Sequence, residues 1–204
     1  MNEARNSLRT YWSVRALSRA EAMVVLLAWL LPVAVASIGV PFRRDGTDML
    51  AEVDSISVLA FMVPVASAMR FLEEGPTSLT RTRRRPLGLL RAGAAVTLVG
   101  VTSFGAGLTA LACSLPVHHV VALVATQAAL AVFASSFLGS SRGWLVPGAA
   151  TLVASTPGLV PWNVNLAYNL DLTEALTWIA GMVTVIAVGR FAARGLGNAR
   201  AERA

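Results

Sequence analysis

The sequence predicts an all-α, polytopic membrane protein with six transmembrane helices and both termini on the cytoplasmic side. Three observations carry that prediction. Of 204 residues, 55% are hydrophobic and only 14% are charged, against roughly a quarter charged in an ordinary soluble domain. The apolar residues gather in runs close to the ~20 residues a helix needs to cross ~30 Å of hydrocarbon. The 17 basic residues, all arginine, fall in the gaps between those runs. A chain of this composition cannot cover itself with polar surface in water, and lipid is its expected solvent.

The first 19 residues form a polar arm, expected to lie at the inner membrane surface. On a helical wheel Leu8, Trp12 and Ala16 share a face with Arg5, Arg15 and Arg19, so apolar and basic sectors mix, and snorkelling arginines with Trp12 at headgroup depth would hold the arm there. The first span covers about 20–41. Its apolar core "AMVVLLAWLLPVAVASIGV" is 19 residues long, longer than the about 7–15 of a signal-peptide core, and five more runs follow. The remaining spans are read at 55–72, 92–113, 120–139, 144–160 and 173–192. They are apolar all round, so periodicity is silent inside them, as expected of membrane helices. The three domains are therefore the arm (1–19), a six-helix transmembrane domain (20–192) and a basic tail (193–204).

Within the spans, Pro32 and Pro64 remove backbone donors and are expected to kink the first and second helices. Gly143, Pro147 and Pro157 bracket the fifth, which is expected to be short, broken or tilted. Ser103 with Gly107, and Gly139 with Gly143, are small-xxx-small pairs suited to close helix contact. Orientation follows from the arginines. Fifteen of them precede span one, fill the gaps after spans two and four, or close the chain; Arg43 and Arg44 alone fall on the other side. That other side carries Asp45, Asp48, Glu52, Asp54, Trp162, Tyr168 and Asp171 instead. An even number of spans agrees with termini on one side.

The stretch "RFLEEGPTSLTRTRRRPLGLLRAG" (70–93) joins spans two and three. Arg70 leaves the bilayer, Gly75-Pro76 turns the chain, Thr77 or Ser78 caps a helix of about two turns, and Pro86 ends it. By composition alone this is an arginine-rich loop on anionic headgroups. Its pattern of two acids, Gly, a Thr/Ser pair, Leu, a spacer and Pro-Leu-x-x-Leu-Leu, carried here by Glu73, Glu74, Gly75, Leu79, Pro86, Leu87 and Leu90, resembles the cytoplasmic loop of ABC-2-type transporter permeases. The resemblance implies a short coupling helix docking on a separate ATPase subunit, with Glu73, Glu74, Gly75, Leu79, Arg81, Arg83, Arg84, Arg85 and Pro86 as the contact region. It also implies a permease subunit of an ABC exporter in the cell membrane, paired with a second permease chain of the same or a similar kind and surrounded by membrane lipids. The long polar connection between spans five and six corresponds to a re-entrant element in that family. The chain departs from the family in its shortness, in Pro76 after the glycine and in its arginine density.

Other chemistries find little support. Without lysine there is no phosphate-binding Gly-x-x-x-x-Gly-Lys-Ser/Thr loop, so any ATP hydrolysis belongs to a partner. An intramembrane protease of the Glu-Glu-x-x-x-Arg kind would need arginine at Ser78. His118 and His119 are read as neighbours in a short loop without further ligands, so neither a metal site nor a catalytic triad is expected. No cofactor is expected. Cys113 has no partner for a disulfide and is read as a buried thiol. The arginines do not form a soluble, aromatic-interleaved face, which argues against nucleic acid. Gln127 is the main polar residue inside a span, with Asn163, Asn165 and Asn169 in the last outer loop. The alternatives are a non-transporting accessory or immunity protein that binds a peptide or lipid, and an intramembrane enzyme acting on lipid carriers.

Overall fold

The structure, a computed structural model, describes residues 19–38, 42–44, 47–49, 56–72, 87–156 and 158–194. The N-terminal arm, the connection 73–86 and the C-terminal tail lie outside the described residues. The elements are α1 (Arg19–Ala28), α2 (Leu30–Ala34), strands β1 (Phe42–Arg44) and β2 (Thr47–Met49), α3 (Ser57–Ala60), α4 (Met62–Ala68) with a 3-10 turn at Met69–Leu72, α5 (Leu87–Ala112), α6 (Val117–Leu138), α7 (Ser140–Gly143), α8 (Leu145–Ser155), 3-10 turns at Trp162–Val164 and Leu170–Leu172, and α9 (Thr173–Arg194). The described chain is helical apart from one small antiparallel hairpin, in which Phe42 pairs with Met49 and Arg44 with Thr47.

Among the described residues three helices are long and apolar enough to cross a membrane: Gly88–Ala112, Val117–Leu138 and Leu170–Arg194. They correspond to the third, fourth and sixth expected spans. The third begins five residues before the expected 92, directly after Pro86, whose fixed φ suits a helix start. The fourth begins at Val117, three residues before the expected 120, with Pro116 as its N-cap. The first expected span, 20–41, is corrected. Its helix ends at Ala34, the chain turns through 35–37, and Phe42 is already in a strand. The second and fifth are pieces of at most 16 residues, Ser57–Leu72 and Leu145–Ser155.

The breaks share one cause. Helices are interrupted at Trp29, Phe61 and Trp144, and each of these residues lies three before a proline: Pro32, Pro64 and Pro147. A proline at position i has no N–H for the carbonyl of i−4 and its ring crowds that carbonyl. The affected carbonyls belong to Ala28, Ala60 and Gly143, the last residue of α1, α3 and α7 respectively. At Trp29 the local bond shortens to an i→i−3 contact, Trp29 N–H donating to Leu26 O at 3.2 Å. Helices α5, α6 and α9 contain no proline and run unbroken.

Successive legs alternate between two ends of the bundle. At one end Glu21 Oε1 lies 3.8 Å from Arg70 Nη1. There the turn Met69–Leu72 packs on α5 and on α7, and Gly88 sits close to the Ala192 carbonyl. At the opposite end Ile56 N–H donates to Ile38 O at 2.8 Å and β1 packs on the Trp162–Val164 turn. The flanks of the connection 73–86 therefore leave and re-enter the bundle at the same end. Among the described residues that end carries Arg19, Arg70, Arg91, Arg142, Arg190 and Arg194, with Glu21 as its one carboxylate.

Helix α6 is the central element: two-thirds of its apolar window is buried, against 44% for α5 and 22% for α9. Its Val120, Val124, Ala128, Ala129, Ala131 and Val132 meet Ala94, Ala95, Leu98, Ala106 and Ala110 of α5 and Ala187 and Phe191 of α9. So many alanines let the helix backbones approach closely, the usual route to packing where lipid removes the hydrophobic drive between helices. The outward faces are apolar as well, with Phe104, Leu111, Trp178 and Val185 each more than half exposed. Such a surface fits a hydrocarbon solvent.

Glycines mark the closest approaches. A Cβ at Gly105 would stand 2.5 Å from Cζ2 of Trp29, so the indole at the first kink rests on α5, edge-on to Phe61 at 6.3 Å. Gly107 fits the expected role of its small pair, since a Cβ there would meet Val121 at 3.4 Å. Gly139 and Gly143 act differently from a pair inside a span. Gly139 ends α6 at φ +85°, a left-handed conformation that glycine adopts without strain, and the turn folds Gly143 to within 2.7 Å (as Cβ) of the Ala131 carbonyl. Cys113 is partly exposed in the turn after α5 rather than buried.

Gly105→Ala is expected to lower stability in detergent by about 1–3 kcal/mol through overpacking. In a Trp29→Ala background most of that loss should vanish, and a double-mutant cycle by denaturant unfolding measures the coupling. Equal losses in both backgrounds would contradict the contact.

Candidate functional site

Two ends of the bundle carry the polar chemistry. At the arginine-bearing end, the expected partner-contact residues Glu73, Glu74, Gly75, Leu79, Arg81, Arg83, Arg84, Arg85 and Pro86 lie outside the described residues; their flanks do not. The Glu21 and Arg70 side chains are 40% and 57% exposed, so their contact adds little, below about 1 kcal/mol. Arg190 is held more firmly. Its Nε donates to Ser136 Oγ at 2.9 Å, while the Ser136 hydroxyl donates to Phe133 O at 2.7 Å. The Arg190 Cζ lies 3.6 Å from the ring centroid of Phe137 and 5.5 Å from that of Phe133.

At the opposite end the segment between α8 and α9 folds back as a polar cap. Asn165 and Asn169, four apart, organise it. Each side-chain oxygen accepts from the backbone N–H two residues on, Ala167 at 3.1 Å and Asp171 at 3.0 Å. Each side-chain nitrogen reaches a carbonyl further back, Ala154 at 2.9 Å and Trp162 at 3.1 Å. The Asx turns satisfy the Ala167 and Asp171 N–H groups, and the side-chain amides add donors at Ala154 O and at Trp162 O, which also accepts from Asn165 N–H. Tyr168 is fully buried and donates its hydroxyl to Ser155 Oγ at 3.0 Å, against an apolar cluster of Val58, Ala122, Leu123, Ala167 and Leu176. Asn163, expected beside the two asparagines, is exposed and takes no part in these bonds.

His119 ties this cap to the central helix. Instead of sharing a loop with His118, it occupies the first turn of α6, 1% exposed, while His118 faces outward. Its Nε2 lies 3.1 Å from Ala167 O. A carbonyl only accepts, so Nε2 carries a proton. Its Nδ1 lies 2.9 Å from Thr173 Oγ1, and that hydroxyl is also 2.6 Å from Leu170 O. One hydroxyl proton faces two acceptors: with a neutral ring it turns to Nδ1, and with a charged ring it turns to Leu170 O. Either way the imidazole bridges α6, the cap and the start of α9.

The interior polar residue singled out in the sequence, Gln127, sits at the middle of α6 and is 3% exposed. Its Nε2 donates to Thr151 Oγ1 of α8 at 3.0 Å, pinning the short, kinked helix to the long one. Interhelical bonds of this kind contribute about 0.6–2 kcal/mol in membranes. Among the described residues Gln127 Oε1 has no hydrogen-bond partner. Among the described residues no group of three or more His, Cys, Asp and Glu could hold a metal ion.

The sequence singled out Asn165, Asn169 and Gln127 but missed His119 as a bridge and Arg190 as a stacked cation. Pro116 was the available signal for His119, since a proline at the cap position starts the helix early enough to bring position 119 onto it. Nothing local announces Arg190, whose partners lie 53 or more positions earlier. Three apolar helices of membrane-crossing length are compatible with a membrane protein. No family model, curated protein or solved structure matches the chain.

His119→Ala removes both bridging bonds and is expected to destabilise the protein by about 1–3 kcal/mol. Backbone amides of 165–172 should exchange faster in hydrogen–deuterium exchange. His118→Ala, at an exposed position, should stay within about 0.5 kcal/mol of the parent; equal effects of the two substitutions would refute the bridge.

Proposed function

We propose that the chain is the membrane-spanning permease subunit of an ATP-driven exporter of the ABC type, crossing the membrane six times with both termini in the cytoplasm. It pairs with a second permease chain and couples to separate ATPase subunits. The observation that carries this reading is the sequence Glu73-Glu74-Gly75 to Pro86-Leu87, set between two helices that pack against each other at the arginine-bearing end. A partner pressing on that stretch would act on the Met69–Leu72 turn and on the first turn of α5 together. The buried imidazole of His119 is taken up in holding the polar cap to α6. Carriers driven by ions or protons keep ionisable side chains inside the bundle, whereas the acids and arginines described here stand near helix ends. The polar cap resembles in position the re-entrant element expected between the last two spans.

In this reading Glu73, Glu74, Arg81, Arg83, Arg84 and Arg85 form the charged contact set, with Gly75, Leu79 and Pro86 shaping the short helix between them. Coupling is a rigid-body transition passed through packed helices. Co-expressed with an ATPase encoded beside it, the protein should co-purify with that ATPase, and the double variant Glu74→Arg with Arg84→Glu should weaken the complex about tenfold or more, as expected for lost charge pairs at an interface. Full binding by that variant, or purification as a stable complex lacking any ATPase, would overturn the assignment and favour an accessory membrane protein.

A further inference from the structure

We propose that the seam between α6 and α8 is a binding site for a neutral, hydrogen-bonding molecule, which Gln127 and Thr151 contact in the middle of the bundle when α8 tilts away from α6. As a site for transported cargo the seam rests on the transporter reading; its opening does not. The course of the seam is the first support. His119, Leu123, Gln127, Ala131 and Ser135 recur every four positions on α6 and form one ridge. That ridge follows the leg made by α7, α8 and the cap. Ser135 and the Ala131 carbonyl lie against Gly143, Gln127 bonds Thr151, Leu123 shares a cluster with Ala167 and Tyr168, and His119 bonds Ala167 and Thr173. The polar members of the ridge, His119, Gln127 and Ser135, are all buried. Across from them Thr151 and Ser155 stand one turn apart on α8, with the Tyr168 hydroxyl on Ser155. Val120, Val124, Ala128 and Val132 of the same helix pack instead among apolar side chains of α5 and α9. Polar side chains are expensive inside a membrane bundle, and where they gather they mark the places where polar molecules are handled.

The second support is chemical. Gln127 is 3% exposed, and among the described residues its Oε1 meets no donor. An orphaned acceptor offsets much of what the Nε2 bond contributes, so the closed seam holds a group that an open one would satisfy. Thr151 accepts the Nε2 bond at 3.0 Å, and a hydroxyl that accepts still has a proton to give. The pair therefore offers one acceptor and one donor, the complement of a hydroxyl or an amide. Neither α6 nor α8 contains an acid or an arginine, so a charged ligand would be buried unpaired, at high cost. The ligand is neutral for that reason. α8 is also the element best able to yield. It has 11 residues, follows the break at Trp144, and carries Gly148, where a Cβ would reach α4 only at the Met62 methyl, 3.9 Å away. Methionine is a soft, adaptable neighbour.

The test is thiol labelling of the full-length protein in liposomes, without any ATPase, in a Cys113→Ser background. Thr151→Cys on the seam is compared with Thr102→Cys, a buried threonine of α5 whose hydroxyl returns to its own helix at Leu98 O, 2.8 Å away. Neutral 2-hydroxyethyl methanethiosulfonate should modify position 151 about tenfold faster than position 102, as expected where opening a seam costs less than opening the core. The anionic sulfonatoethyl reagent should modify both slowly. Gln127→Met should slow labelling at position 151 several-fold, because it removes the orphaned acceptor that favours opening. Were the amide only a structural pin, the same substitution would free α8 and speed the labelling. Should Thr151→Cys fail to fold, judged by circular dichroism and elution volume, Ser155→Cys takes its place on the seam. Equal rates on and off the seam, equal rates with the two reagents, or faster labelling with Gln127→Met would overturn the proposal. Loss of the ATPase complex with these rate differences intact would count against the exporter assignment alone.

Discussion

A carbonyl deprived of its helical partner is satisfied by solvent in water, but inside hydrocarbon it stays costly unless another part of the protein covers it. In this chain the missing donors in the helical legs are proline N–H groups, at 32, 64 and 147, and every interrupted helix turns at the residue three before one of them. The bundle divides accordingly into two kinds of element. Helices α5, α6 and α9 are unbroken over 22 to 26 residues and pack as a rigid triad around the alanine-rich face of α6. The pieces α1 to α4, and α7 with α8, are short and angled, and they lean on that triad.

The kinks also decide where large side chains go. Each falls on an aromatic residue, Trp29, Phe61 or Trp144, and the first two meet edge to face where α5 offers Gly105. Close packing of this kind needs small partners, and the triad supplies them with alanine and glycine. Where kinked pieces cannot reach full helical pairing, side chains take over: Gln127 bonds Thr151 of α8, and the asparagines of the cap satisfy the backbone beyond Ser155. The cap asparagines thus work where the backbone lacks helical pairing, while Gln127 works from the middle of α6 across to α8.

How much of this was legible in the sequence depended on the range of the interaction. Helix identity came from local apolar runs, and the kinks from prolines, because both effects act within one or two turns. The helix starts at Leu87 and Val117 directly follow prolines, Pro86, which was read as the end of the preceding short helix, and Pro116, which was not singled out. The early end of the first helix was harder to see, since an apolar run does not say whether it continues as helix. Yet Asp45-Gly46, between the paired Arg44 and Thr47, is a dipeptide favoured in two-residue hairpins and was a usable sign. The burial of His119 depends on Ala167 and Thr173, 48 and 54 positions away, and the stacking of Arg190 on a helix more than 50 residues upstream. Pro116 places position 119 on the helix but no local pattern encodes these partners, so an imidazole read in a short loop and an arginine read at the end of the last span became fixed points of the fold.

The same division of rigid and kinked elements bears on how force would travel under the proposed reading. A push at the arginine-bearing end meets α5 through its first turn, and α5 is bound along its length to α6, so the triad would move as a body. The other flank, the 3-10 turn Met69–Leu72, leads into α4 and the break at Phe61, where the backbone ladder is already interrupted and bending costs least. The interdigitated Trp29, Phe61 and Gly105 contact then sits between an element that can bend and one that cannot. At the far end, the cap is tied to both α6 and α9 through His119 and Thr173 and so must follow the triad. Under that reading relative motion falls to the short legs, whose shape the prolines determine and which meet α5 closely at Trp29 and Gly105.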